Sequence, residues 1–211
     1  TTTVNHVPTA NIVIDGSDGD DADGTPRDLT IQTPNSGTGA DHALAIYGDC
    51  DNVQIKNAII NSRTPNGSRY ALRVSVIRSA TTNFAPDNLL VDNNVVTATG
   101  GSATSAIAID NPTGTGDLTA STTDATGIVI SNNSLTARST GVLGNPAGGV
   151  AISGNTIDIQ QTNAGTDGRP IFWVASRTNN WTTTVARNVI TATAPSTSAN
   201  IGVFGMRRSG S

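Results

Sequence analysis

The densest set of chemically capable residues is Asp15-Gly-Ser-Asp18-Gly-Asp20-Asp21-Ala-Asp23-Gly24. Calcium takes several oxygen ligands on a loop able to wrap it, and alternating Asp and Gly supply both. The order departs from an EF-hand, because Ala22 stands in the third acidic slot and no Glu follows. Asp15, Asp18, Asp20, Asp21 and Asp23 are therefore the candidate ligands of a structural calcium ion. The competing reading is a polar loop between strands, and no other cofactor is implied.

Three further groups have usable chemistry. Trp173 and Trp181 flank a loop, and an exposed pair of indoles would stack on a sugar ring. Packing between strand and loop is the alternative. Arg63, Arg69, Arg73 and Arg78 gather around one long loop near Asp87. They would form surface ion pairs of small energy, or Arg69 and Arg73 would bind an acidic sugar. Cys50 and His42 bracket the segment Ala43 to Tyr47, but a nucleophilic pair needs a third, orienting group, and none is evident. Cys50 reads as a small buried hydrophobe. No catalytic set emerges.

Composition narrows the elements that could carry these groups. All 16 acidic residues are Asp, Lys56 is the sole lysine, and the net charge of −4 leaves no basic footprint for nucleic acid. Straight-chain helix formers are scarce beside Thr, Ser, Asn, Gly, Val and Ile, which excludes a helical bundle. No apolar run reaches the ~18 residues of a membrane-inserted helix. The single cysteine excludes an intramolecular disulfide. An acidic, lysine-poor, Thr/Asn/Gly-rich chain suits an extracellular or bacterial cell-surface setting.

An internal repeat organises the chain. The pattern apolar-x-apolar-x-x-Asn-x-apolar occurs as Leu89-Leu-Val91-Asp-Asn-Asn94-Val-Val96 and Ile128-Val-Ile130-Ser-Asn-Asn133-Ser-Leu135. It returns as Val150-Ala-Ile152-Ser-Gly-Asn155-Thr-Ile157 and Thr183-Thr-Val185-Ala-Arg-Asn188-Val-Ile190. Val53 to Ile60 lacks only the Asn, and weaker copies lie at Ile12-Val-Ile14 and Leu29-Thr-Ile31. Spacing runs from 17 residues (Ile14 to Ile31) to 39 (Val91 to Ile130), as in a solenoid with constant strands and variable loops. Second apolar strands follow at Ala43–Ile46, Leu72–Val76, Ala106–Ile109, Gly141–Leu143, Ile171–Val174 and Ile201–Phe204. One coil cannot bury its apolar face alone, whereas coils stacked ~4.8 Å apart form a continuous core. The recurrent Asn would occupy a left-handed turn and bond to its neighbour's amide, making a ladder of Asn94, Asn133, Asn155 and Asn188.

Strand, Asn-bearing turn and following apolar residue resemble the right-handed parallel β-helix proteins of the pectate-lyase-like type. Ile12-Val-Ile-Asp15-Gly16-Ser17, followed by Gly24-Thr-Pro-Arg27-Asp28-Leu29-Thr30-Ile31, is similar to a stretch common in large secreted bacterial β-helix proteins. The expected fold is all-β, a single-stranded right-handed parallel β-helix (solenoid) of about seven coils with variable loops. It spans residues 1–211 as a single domain, or as a segment of a longer secreted protein. The handedness is implied by the resemblance. Lyases on this scaffold use carboxylates for calcium and an Arg or Lys base, and hydrolases use clustered Asp. The outward positions here are Gln54, Lys56, Leu90, Asp92, Val129, Ser131, Ala151, Ser153, Thr184 and Ala186, a face with one acid and one lysine. An ice-binding Thr array is interrupted by Arg63, Arg138 and Gln160.

A parallel solenoid must cover its two ends, and neither end of this chain carries an amphipathic helix. The expectation is thus a structural or adhesive extracellular module with homotypic end-to-end or surface contacts that build a fibre or surface assembly. The alternative is a polysaccharide-binding or polysaccharide-cleaving (lyase or hydrolase) domain, with Trp173, Trp181, Arg69 and Arg73 toward the glycan.

Overall fold

The computed structural model describes residues 9–17, 27–33, 42–47, 50–63, 70–75, 77–78, 83–84, 87–100, 105–110, 126–147, 150–160, 168–175, 182–193 and 205–208. Three six-stranded parallel sheets run along it, each with its strands in chain order. The first sheet holds Val13–Asp15, Gln54–Lys56, Leu90–Asp92, Ile128–Ser131, Val150–Ser153 and Thr183–Ala186. The second holds Leu29–Gln32, Ala58–Ser62, Val95–Ala98, Ser134–Ala137, Thr156–Gln160 and Val189–Thr193. The third holds His42–Tyr47, Tyr70–Ser75, Ser105–Asp110, Thr140–Ala147, Arg169–Ala175 and Gly205–Arg208. Each coil contributes one strand to each sheet, which makes the chain a parallel β-solenoid.

Six coils are described rather than seven. The two leading repeat copies belong to one coil: Ile14 stands level with Ile55 in the first sheet, and Ile31 with Ile60 in the second. Strands on adjacent sheets share the same period-two alternation, so an insertion between them looks like a repeat boundary. The third-sheet strands fall where the second apolar runs predict, except the last. Ile201–Phe204 lies outside the described residues, and Gly205–Arg208 pairs there, with Gly205 level with Phe172.

The core is built of columns. Ile55, Val91, Ile130 and Ile152 are fully buried in the first sheet, and Ile60, Val96, Leu135 and Ile157 stack likewise in the second. Each such side chain contributes about 1.5–3 kcal/mol by leaving water. In the third sheet the column Ile46, Val74, Ile109, Gly144, Trp173 shows how size is balanced between coils. A Cβ on Gly144 would lie 2.1 Å from Cε3 of Trp173, so the missing side chain makes room for the indole.

The asparagine ladder is present, and it is satisfied on all sides in its interior. Asn133 Oδ1 accepts from the backbone N and the Nδ2 of Asn94, at 2.9 and 3.1 Å. Asn133 donates in turn from N and Nδ2 to Asn155 Oδ1, at 2.9 Å each, and from Nδ2 to the Val91 carbonyl at 2.9 Å. Asn155 repeats the arrangement with Asn188. At the other end Asn94 Oδ1 accepts from Ala58 N, where the second coil lacks the Asn.

One expectation is corrected here. The left-handed residue and the ladder residue are different positions. Positive φ falls on Asn57, Asn93, Asn132, Gly154 and Arg187, each immediately before the ladder position. The ladder amide must point inward to meet its neighbours, so the preceding residue takes the turn. A second left-handed corner, at Asn11, Asn52, Asn88 and Gly127, precedes the first-sheet strands. Arg187 gains neither the local hydrogen bonding of Asn nor the freedom of Gly at φ 54°.

Removing one rung should therefore cost more inside the ladder than at its end. Asn133→Ala leaves Asn94 N without its acceptor and takes one donor from the Val91 carbonyl in a dry interior, while the Asn94 amide keeps the Ile55 and Asp92 carbonyls, an expected loss of about 2–3 kcal/mol. Asn188→Ala should cost about 1–2 kcal/mol, since its neighbours lie nearer solvent. Urea unfolding of the two variants checks this, and equal losses would refute the ranking.

Candidate functional site

The first sheet's outer face carries the column Asp15, Lys56, Asp92, Ser131, Ser153, Ala186. Lys56 Nζ lies 3.0 Å from Asp15 Oδ2. Asp15 Oδ1 accepts from Ser17 N at 3.1 Å, Ser17 Oγ at 2.9 Å and Asn57 Nδ2 at 2.9 Å. Asp92 Oδ1 accepts from Ser131 Oγ at 2.6 Å and Asn132 Nδ2 at 2.9 Å. The Asn57 amide, then the Ser17 N–H and Lys56, hold the Asp15 carboxyl well below the usual carboxylate range. A general acid needs the opposite shift.

This column feeds a polar chain that the sequence reading did not single out. Arg27 donates from Nε to the Asn93 carbonyl at 2.8 Å and from Nη2 to Asn93 Oδ1 at 2.6 Å. Asn93 Nδ2 donates to Asn57 Oδ1 at 2.8 Å, and Asn57 continues to Asp15. An outer ladder thus joins Arg27 to Asp15 across three coils. Its signal in the sequence was the first Asn in Asp-Asn-Asn94 and the Asn preceding Ala58.

For calcium, only Asp15 of the five candidate ligands is described; Asp18, Asp20, Asp21 and Asp23 lie outside the described residues. Asp15's oxygens already face donors and a lysine. Among the described residues no three His, Cys or Asp side chains gather as a metal site.

The outer face of the third sheet concentrates aromatic and cationic groups. The His42 and Tyr70 rings stack with centroids 5.5 Å apart, and the Arg73 guanidinium sits 5.0 Å from the Tyr70 centroid. Arg73 Nη1 lies 3.2 Å from His42 Nε2. A guanidinium only donates, so Nε2 is the acceptor in this contact. Farther along the same sheet, Arg169 lies 4.8 Å above the Phe172 ring.

The glycan candidates separate accordingly. Arg73 is on this face, whereas Arg69 and Trp181 lie outside the described residues. Trp173 is fully buried above Gly144, so it has no face to offer a sugar, and its neighbour Phe172 is the outward ring. The Trp173 indole Nε1 is buried without a partner among the described residues, which marks the residue as a packing element. Cys50 is buried, and His42 turns to Tyr70 and Arg73. Asp87, placed near the arginines by sequence, accepts from Thr126 N and Oγ at 2.9 and 2.6 Å. Asp158 lies level with Thr136 and Thr191 and, with Gln160, breaks the Thr array.

No family model, curated protein or solved structure matches the chain.

The Asp15 arrangement makes a pH prediction. Its pKa is depressed in the fold, so its stabilisation is present above the unfolded value of about 3.9 and is lost as pH falls below that. Wild type should exceed Asp15→Asn in urea midpoint at pH 7, with the gap narrowing progressively as pH falls from about 4 to 2. A gap independent of pH would refute the role assigned to the ionised carboxylate.

Proposed function

We propose that the chain is a structural β-solenoid module of an extracellular or cell-surface protein, working through end-on pairing of its coils with further β-structure. The observation that carries this reading is the sixth coil. Val185 continues the column of Ile55, Val91, Ile130 and Ile152, which are all fully buried, yet it is 40% exposed. Ile190 and Ala192 of the same coil are only partly buried. Strand edges and a core cross-section presented together favour pairing with another strand layer.

Both described outer carboxylates on the first sheet are held by donors, which supports a structural rather than a hydrolytic role. Electron microscopy of native material tests the reading. Six coils span ~29 Å at the ~4.8 Å spacing, and rods substantially longer than this are expected. Native material consisting only of rods of that length would count against it.

A second reading, polysaccharide binding, draws on the His42–Tyr70–Arg73 cluster. Arg73 offers a planar fork to the carboxylate of an acidic sugar, and the rings provide apolar area beside it. On this reading Arg73→Ala lowers affinity for an acidic oligosaccharide such as oligogalacturonate at least tenfold, with the fold intact by circular dichroism. Calorimetry that detects no saturable binding to wild type would exclude that ligand class.

A further inference from the structure

The asparagine ladder has a direction, and the direction identifies what the sixth coil accepts. Each interior rung donates its backbone N–H and one amide hydrogen to the Oδ1 of the rung on the next coil. Asn188, on the sixth coil, accepts from Asn155 and donates back to the Ile152 carbonyl at 2.9 Å. No acceptor for its own N–H, or for its second amide hydrogen, is present among the described residues. The ladder thus ends in two donors, beside an exposed Val185 and Val189 at 40% and 62%.

The first described coil does not complement the sixth. Leu29 stands level with Ala58, and Ala58 with Asn94, so the ladder position of the first coil is Leu29. A copy stacked head to tail in continuous register would place Leu29 over Asn188. The apolar columns would still agree, Ile14 meeting Val185 and Ile31 meeting Ile190. The two ladder donors would be shut away from water with nothing to accept them, a costly arrangement.

We propose that the open face of the sixth coil takes a further parallel β-coil bearing asparagine at the ladder position, and that the chain's own first coil is not that partner. This rests on the end-on reading above and replaces homotypic stacking with a chemically selective contact. The apolar columns supply affinity without discrimination, and the buried donors discriminate. In the same way a single buried Asn sets register in other repeating structures.

Two measurements test it. Analytical ultracentrifugation compares wild type with Leu29→Asn and Leu29→Ala. Leu29→Asn supplies the missing acceptor and should self-associate at least about tenfold more tightly than either. Separately, a second copy of residues 126–149, which carries Asn133, is appended after residue 211. This fusion should raise Tm, whereas the same fusion with Asn133→Leu in the appended copy should not. Wild type assembling as tightly as Leu29→Asn, or both fusions raising Tm equally, would overturn the selectivity. If no variant associates and neither fusion raises Tm, the end-on reading itself falls.

Discussion

Parallel stacking at a constant ~4.8 Å spacing is the constraint from which the rest of this molecule follows. Every side chain on an interior strand meets its counterparts one coil away on either side, so each column must be compatible with itself. Apolar columns meet this requirement easily. A buried polar column meets it only if the residue both donates and accepts along the stacking direction, as a carboxamide does. Asn94, Asn133 and Asn155 do this, Asn188 accepts at the end of the row, and all four also satisfy backbone carbonyls at the corner between the first and second sheets.

The same geometry explains why the loops vary so widely in length. The coil's strands and its left-handed corners are restrained by neighbours, whereas chain length between strands is limited only weakly by loop-closure entropy. It also explains local exchanges of volume. Trp173 is accommodated because the residue one coil away is Gly144, so shape is balanced between coils as much as within one. On the outside, the chain from Arg27 through Asn93 and Asn57 to Asp15 carries the column principle onto the surface, where it ties an insertion-bearing first coil to the third.

The repeat was legible because alternation and the recurrent Asn both survive in one dimension. Merging Ile14 and Ile31 into one coil was not legible, since two consecutive strands of a coil share the same local pattern. The functional candidates show a similar division. Arg73 was found from its charge, but its association with His42 joins adjacent coils and has no sequence signature. Trp173 invited an exposed role because alternation requires only that one of Phe172 and Trp173 face outward. Which one does so is decided by the space left at Gly144.

By itself the sequence determined the class of architecture and the identity of the ladder residues, and its single cysteine excluded an intramolecular disulfide. These rest on side-chain chemistry and period, which need no third dimension. Only the tertiary structure decided that the turn and the ladder are separate positions. It also placed Asp15 in an ion pair with Lys56 and, among the described residues, ended the ladder in unmatched donors at Asn188, with Leu29 at the corresponding place on the first coil. Each of these is a relation between coils, set by backbone register, and register arises only when the strands are paired.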